Sequence, residues 1–146
     1  MEKMLVSACL LGAATRYDGQ SKKTISDENM KLLSERYHLI PVCPEIYGGL
    51  PTPRVPSERV GERVKMKNGE DVTENYLKGA NETLLLCRVF GVKKALLKAK
   101  SPSCGKREIY DGSFSGRLKS GIGVTAELLI KNGIEVFDEY DIEKLI

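Results

Sequence analysis

Short apolar runs alternate along this chain with longer stretches whose apolar residues recur every three or four positions. Lys3–Ala8 is a compact apolar run that ends at Cys9, and Leu39–Val42 is a second that ends at Cys43. Between them Ser26 is a natural N-cap for a helix over Asp27–Tyr37, with Met30, Leu33 and Tyr37 on one face. Asp71 and Glu74 have the spacing of a capping box and open a long helix to about Phe90, where Gly91 stops it. Val92–Ala99 is a third run, leading into Ser101-Pro102-Ser103-Cys104-Gly105. A helix over about Ile122–Lys131 ends at Asn132-Gly133; Ile134–Phe137 is a fourth strand, and Tyr140–Ile146 a last short helix.

Strands separated by helices imply parallel βαβ units with right-handed crossovers. The expected architecture is a single Rossmann-like three-layer α/β domain, with a mostly parallel four-stranded sheet in the order 2-1-3-4. Two insertions interrupt it: Pro44–Glu70, with Asn68-Gly69 as its hairpin turn, and Lys106–Gly121, with a turn at Asp111-Gly112. Both follow the carboxyl ends of strands, and long loops in a compact domain usually carry function.

Composition narrows the partners. The 146 residues suit one domain over 1–146 with its own core. Lys and Arg outnumber Asp and Glu by only 23 to 20, and tryptophan is absent, so neither a basic nucleic-acid footprint nor a base-stacking surface is evident. No apolar run approaches the roughly 18 residues of a membrane helix. Val6-Ser7-Ala8-Cys9 has the look of a lipoprotein processing site, but only Met4, Leu5 and Val6 separate it from Lys3, too few for a signal segment. The expectation is a cytoplasmic protein.

In a reducing compartment, four cysteines with no Cys-x-x-Cys among them suggest neither disulfides nor a zinc ribbon. Position supplies the clue instead. Cys9, Cys43 and Cys104 each follow a strand, so a parallel sheet sets all three at its carboxyl edge, where open α/β sheets bind ligands. Three thiolates suit an iron–sulfur cluster, zinc or copper(I). Structural zinc wants a fourth ligand, and the lone histidine, His38, stands at the amino end of strand two. Cys87, inside the apolar helical run Leu84-Leu85-Leu86, reads as a core residue.

The flanking loops hold further candidates. Glu45, two residues past Cys43 on a Pro-bearing turn, is placed for acid–base work, the alternative being a solvated loop cap. Arg54 ends a stiff Gly/Pro segment and can neutralise an anionic substrate or cluster, or simply lie on the surface. Ser101 and Ser103 bracket Cys104 from the same side, to donate to a sulfur or a substrate oxygen, or to close an ST-turn. Gly112-x-x-x-Gly116 lacks the Lys-Ser/Thr of a phosphate loop.

Several blocks together resemble the 2-thiouracil desulfurase family: Ser7 through Gly12, Arg16-Tyr17-Asp18-Gly19, Cys43-Pro44-Glu45, Gly49 through Arg54, Lys98 through Gly105, and Asp111 through Phe114. The resemblance spans essentially the whole chain. It implies a [4Fe-4S] cluster on Cys9, Cys43 and Cys104, whose fourth iron takes the sulfur of a thiolated pyrimidine. It also implies Glu45 and Ser101 as acid–base residues. Ser103, Arg54 and Asp18 are the candidate substrate contacts, and a sulfur acceptor is a further candidate partner. Two other readings stand beside it: a sulfur or cluster carrier without chemistry of its own, and a thiolate zinc module.

Overall fold

The computed structural model describes every residue from Met1 to Ile146. Strand β1 (Glu2–Ser7) leads through a 3-10 turn over Ala8–Leu11 and a long loop to helix α1 (Asp27–Arg36), capped by the Ser26 hydroxyl accepting the Asn29 N–H at 3.1 Å. The chain continues through β2 (Tyr37–Val42), a one-turn helix α2 (Pro44–Tyr47), a hairpin of β3 (Ser57–Val60) and β4 (Arg63–Met66), and helix α3 (Thr73–Phe90). It ends with β5 (Lys94–Leu96), the hairpin β6 (Glu108–Tyr110) and β7 (Leu118–Ser120), α4 (Val124–Lys131), β8 (Glu135–Phe137) and a 3-10 helix over Glu139–Lys144.

Four strands make one fully parallel sheet in the order β2-β1-β5-β8, the 2-1-3-4 arrangement expected from the sequence. Strand β1 lies inside it, and Met4 through Ser7 are all buried, as a strand covered on both faces requires. Alternation then sorts the layers. Met4, Val6, Leu96 and Phe137 pack with Leu33 of α1 and with Ile142 and Leu145 near the C-terminus. Leu5, Ala95 and Val136 face the other way, onto Leu84 and Cys87 of α3 and Ala126 and Leu129 of α4. Cys87 is therefore a core residue, and His38 is exposed in β2, both as expected.

Five local expectations need correction. Tyr37 belongs to β2, not to α1, because a buried aromatic paired beside Glu2 gains more as a strand residue than as the end of a frayed helix. The hairpin of the first insertion turns at Gly61, with φ +58°, between Val60 and Arg63. Asn68-Gly69 turns as well, but closes only a single bridge between Lys65 and Asp71. The capping box at Asp71 does not form: α3 begins after Val72, and the Asp71 carboxylate accepts the Thr73 N–H at 2.9 Å while its other oxygen meets Arg63. Finally α4 starts at Val124 rather than Ile122, and the last helix is a 3-10 segment whose cap is Asp138.

Two contacts set the framework around the carboxyl edge. The buried Glu58 carboxylate of β3 accepts the N–H groups of Gly112 and Phe114, which clasps one insertion to the other. Helix α3 runs so close to α2 that a Cβ on Gly79 would lie 1.9 Å from the Pro44 carbonyl oxygen. Gly79→Ala must push the two backbones apart, and we expect a loss of about 2–3 kcal/mol in chemical denaturation, the usual scale of overpacking. Because Pro44 and Glu45 would shift with it, the same variant is expected to lose activity even where it remains folded.

Candidate functional site

The ends of β1, β2 and β5 open onto the same rim, with the reversal of strand order between β1 and β5, the place where open parallel sheets gather ligands. Cys9 sits in the 3-10 turn that follows β1, and Cys43 is the residue between β2 and α2. Cys104 lies in the Ser101–Gly105 turn past β5, and that turn is fastened to α4. The Pro102 carbonyl accepts the Val124 N–H, the Ser103 carbonyl accepts those of Thr125 and Ala126, and the Ser103 hydroxyl shares a 2.8 Å bond with Thr125 Oγ1. Gly123 is required at this seam, because a Cβ there would meet the Ser103 backbone at 2.5 Å.

All four cysteines are free thiols. Cys104 is the inner wall of the site, 4% exposed, and the Ser7 hydroxyl points at its sulfur from 3.8 Å. Cys9 and Cys43 are half-buried. Burial first, and then the neighbouring Cys43, push the Cys9 thiol up to about 11. Burial also raises Cys43, although the Ile46 N–H turned toward its sulfur works against the shift. Cys104 is driven above the ordinary thiol range by its burial, with Glu45 and Cys9 adding to the effect. Cys9 thus feels Cys43, Cys104 feels Cys9, and Glu45 acts on all three thiols.

Glu45 is held from behind. Its Oε2 accepts Arg54 Nη2 at 3.2 Å and the Tyr76 hydroxyl at 3.1 Å, so one oxygen is spent on positioning. Arg54 is 4% exposed in its side chain and tied to the carbonyls of Thr15 and Pro51 and the hydroxyl of Thr52. Its Nε–H is buried with no partner in the chain. Ser101 forms the ST-turn: its Oγ accepts the N–H groups of Ser103 at 3.0 Å and Cys104 at 3.1 Å, which leaves its proton to donate. Ser103 is turned inward, 1% exposed, against Thr125. Asp18 stands farther out, half-buried in the loop after the first 3-10 turn, paired with Arg16 at 3.4 Å and accepting the Gln20 N–H.

Three residues of the site were not singled out from the sequence. Ser7 bridges the Lys98 N–H, at 3.0 Å, and the Cys104 sulfur. Lys98 pairs with Glu139 and draws the Cys9 ionisation back down. Tyr76 reaches Glu45 from α3. A hydroxyl at the end of an otherwise apolar strand, and a phenol on the inward face of a helix, are the signals that announce Ser7 and Tyr76, since buried polar groups need partners.

Fold and site together define a class: an open, parallel α/β domain with a soft-ligand, thiol-lined centre over its carboxyl edge and a fixed carboxylate beside it. The profile of the 2-thiouracil desulfurase family matches residues 4–141, and the chain belongs to that family. It is 38% identical over 153 residues to the uncharacterized protein YbbK of Bacillus subtilis (strain 168), spanning 98% of this chain and 99% of that one. Among solved structures, the [4Fe-4S]-dependent thiouracil desulfidase TudS superposes with a TM-score of 0.93 at 48% identity, over 99% of this chain and 95% of that chain. The fold expected from the sequence is that of a known member of the same group. No helix here is long and apolar enough to cross a membrane.

Proposed function

We propose that this chain hydrolyses the thiocarbonyl of a thiolated pyrimidine of the 2-thiouracil kind, using a [4Fe-4S] cluster held by Cys9, Cys43 and Cys104. The observation that carries this reading is the meeting of three thiols from three strand ends with one anchored carboxylate. Family membership and the likeness to TudS support it.

The donor set fits such a cluster better than a single ion. All three donors are soft sulfurs, with no histidine beside them, and no three His, Cys, Asp or Glu side chains lie close enough to hold one metal ion. Three soft sulfurs with no imidazole or fourth thiol to complete a zinc site would suit a cluster better than the zinc-module alternative. Cys9, Cys43 and Cys104 would hold the cluster, and it would supply Lewis-acid chemistry and a place for the substrate's sulfur.

The rest of the chemistry belongs to the chain. Glu45 presents Oε1 while Arg54 and Tyr76 hold Oε2, and a carboxylate fixed in this way takes the proton of an attacking water. The new C–O bond forms at the thiocarbonyl carbon, the C–S bond breaks, and sulfur leaves as hydrosulfide with no net transfer of electrons. The free Ser101 proton serves the ring heteroatom that gathers charge during attack, and the unpaired Arg54 Nε–H binds an electronegative substrate atom. Ser103 supports the Cys104 turn through Thr125, and Asp18, paired with Arg16, is a further candidate substrate contact. A sulfur acceptor completes the cycle.

Anaerobically reconstituted protein is expected to convert 2-thiouracil to uracil and sulfide in equal amounts, measured by chromatography and a colorimetric sulfide assay. Cluster-loaded protein that turns over neither thiouracil nor thiolated nucleosides would leave the carrier reading in its place.

A further inference from the structure

The inner face of α3 is fully employed: Tyr76 holds Glu45, Gly79 admits Pro44, Asn75 Nδ2 donates to the Gly48 carbonyl, and Leu84 and Cys87 enter the core. Its outer face is not. Leu77 is 43% exposed, Leu85 52% and Val89 65%, an apolar exposure that recurs along one helix of 18 residues.

The order of residues on that face is symmetric about Asn81. Reading outward, Leu77 and Leu85 stand four residues to either side, and Glu74 and Arg88 stand seven residues to either side. Spacings of three, four, four and three keep these five positions within one stripe of an α-helix. Two such helices laid antiparallel about a two-fold axis through Asn81 bring each Leu77 against the other copy's Leu85. The same rotation brings each Glu74 against an Arg88, and Lys78 close to Glu82. This is the self-complementarity that an isologous contact demands, with polar Asn81 on the axis, leucines to either side and opposite charges at both ends. A groove of about 230 Å³ runs beside the stripe, and four apolar side chains, Leu77, Ala80, Val124 and Leu128, share its lining with charged ones, Arg59 and Glu127 among them.

We propose that α3 is a homodimer interface, pairing antiparallel with α3 of a second copy of this chain. A single helix pair buries less than the roughly 1,600 Å² of a standard stable interface, so the expected dissociation constant is on the order of 10 μM. The proposal is independent of the reaction assigned above. Its effect on the site is to brace the helix from which Tyr76 reaches Glu45.

Sedimentation equilibrium of the full-length chain, as isolated and after cluster reconstitution, is the test, over a loading range of about 1–300 μM. Leu85→Glu is expected to weaken dimerisation more than tenfold, because it sets a carboxylate against the other copy's Leu77. Glu74→Arg and Arg88→Glu should each weaken it several-fold, and the double exchange should restore it to near the original value. Circular dichroism confirms that these exposed substitutions leave the fold intact. A chain that stays monomeric across the range overturns the proposal. So does a dimer indifferent to Leu85→Glu, one whose paired charge exchange gives no recovery, or an apolar face that instead binds lipid vesicles as a monomer.

Discussion

Cys43→Ala, refolded and reconstituted anaerobically with iron and sulfide, is expected to emerge with its cluster content reduced at least tenfold, measured as iron and acid-labile sulfide per chain. The reason lies in the geometry of three separate anchors. Cys9 is carried by the turn after β1, Cys104 by the turn clamped to α4, and Cys43 alone reaches in from β2. Removing it leaves two sulfurs on adjacent strand ends, while the fourth cysteine, Cys87, is packed in the core on α3 and the lone histidine, His38, is exposed near the start of β2. Cys87→Ala gives the contrasting result. Its thiol is 2% exposed inside the core between α3 and the sheet, so stability falls by about 1–2 kcal/mol while cluster content is unchanged. A Cys43→Ala protein that keeps a full cluster removes the proposed site.

Glu45→Gln is expected to keep the cluster and lose about 10²- to 10⁴-fold in kcat, the range associated with one positioned general base. The substitution preserves shape. Its amide oxygen can still accept from Arg54 and Tyr76, and its NH₂ then takes the place of the oxygen that accepts the water proton. A spectrum that is unchanged alongside a collapsed turnover separates this from any structural role, and a retained kcat favours the carrier reading.

The architecture was legible because apolar runs of strand length alternate with helical periods, and only a parallel sheet accommodates such an order. The sheet order followed, and with it the meeting of Cys9, Cys43 and Cys104 at one rim. Local punctuation was less faithful. Asn68-Gly69 does turn, but the two paired strands lie upstream at Gly61, because the apolar residues Val64 and Met66 must face α3. Asp71 spends its carboxylate on Thr73 and Arg63, and those bonds compete with a capping box for the same acceptor. Supporting residues were the hardest to see. Glu45 owes its orientation to Tyr76, 31 residues away, and Cys104 meets Ser7 across 97 residues, partnerships that exist only in three dimensions.

That long reach has a bearing on biosynthesis. The sulfur furthest along the chain is locked by backbone bonds to Thr125 and Ala126, and the sheet that spaces the other two relies on strands joined at residues 4–6 with 94–96. While the ribosome is still translating, the pocket has no floor. On the proposed reading, iron and sulfide would meet all three sulfurs in place only after translation has passed the start of α4, in a nearly finished domain instead of a nascent thread.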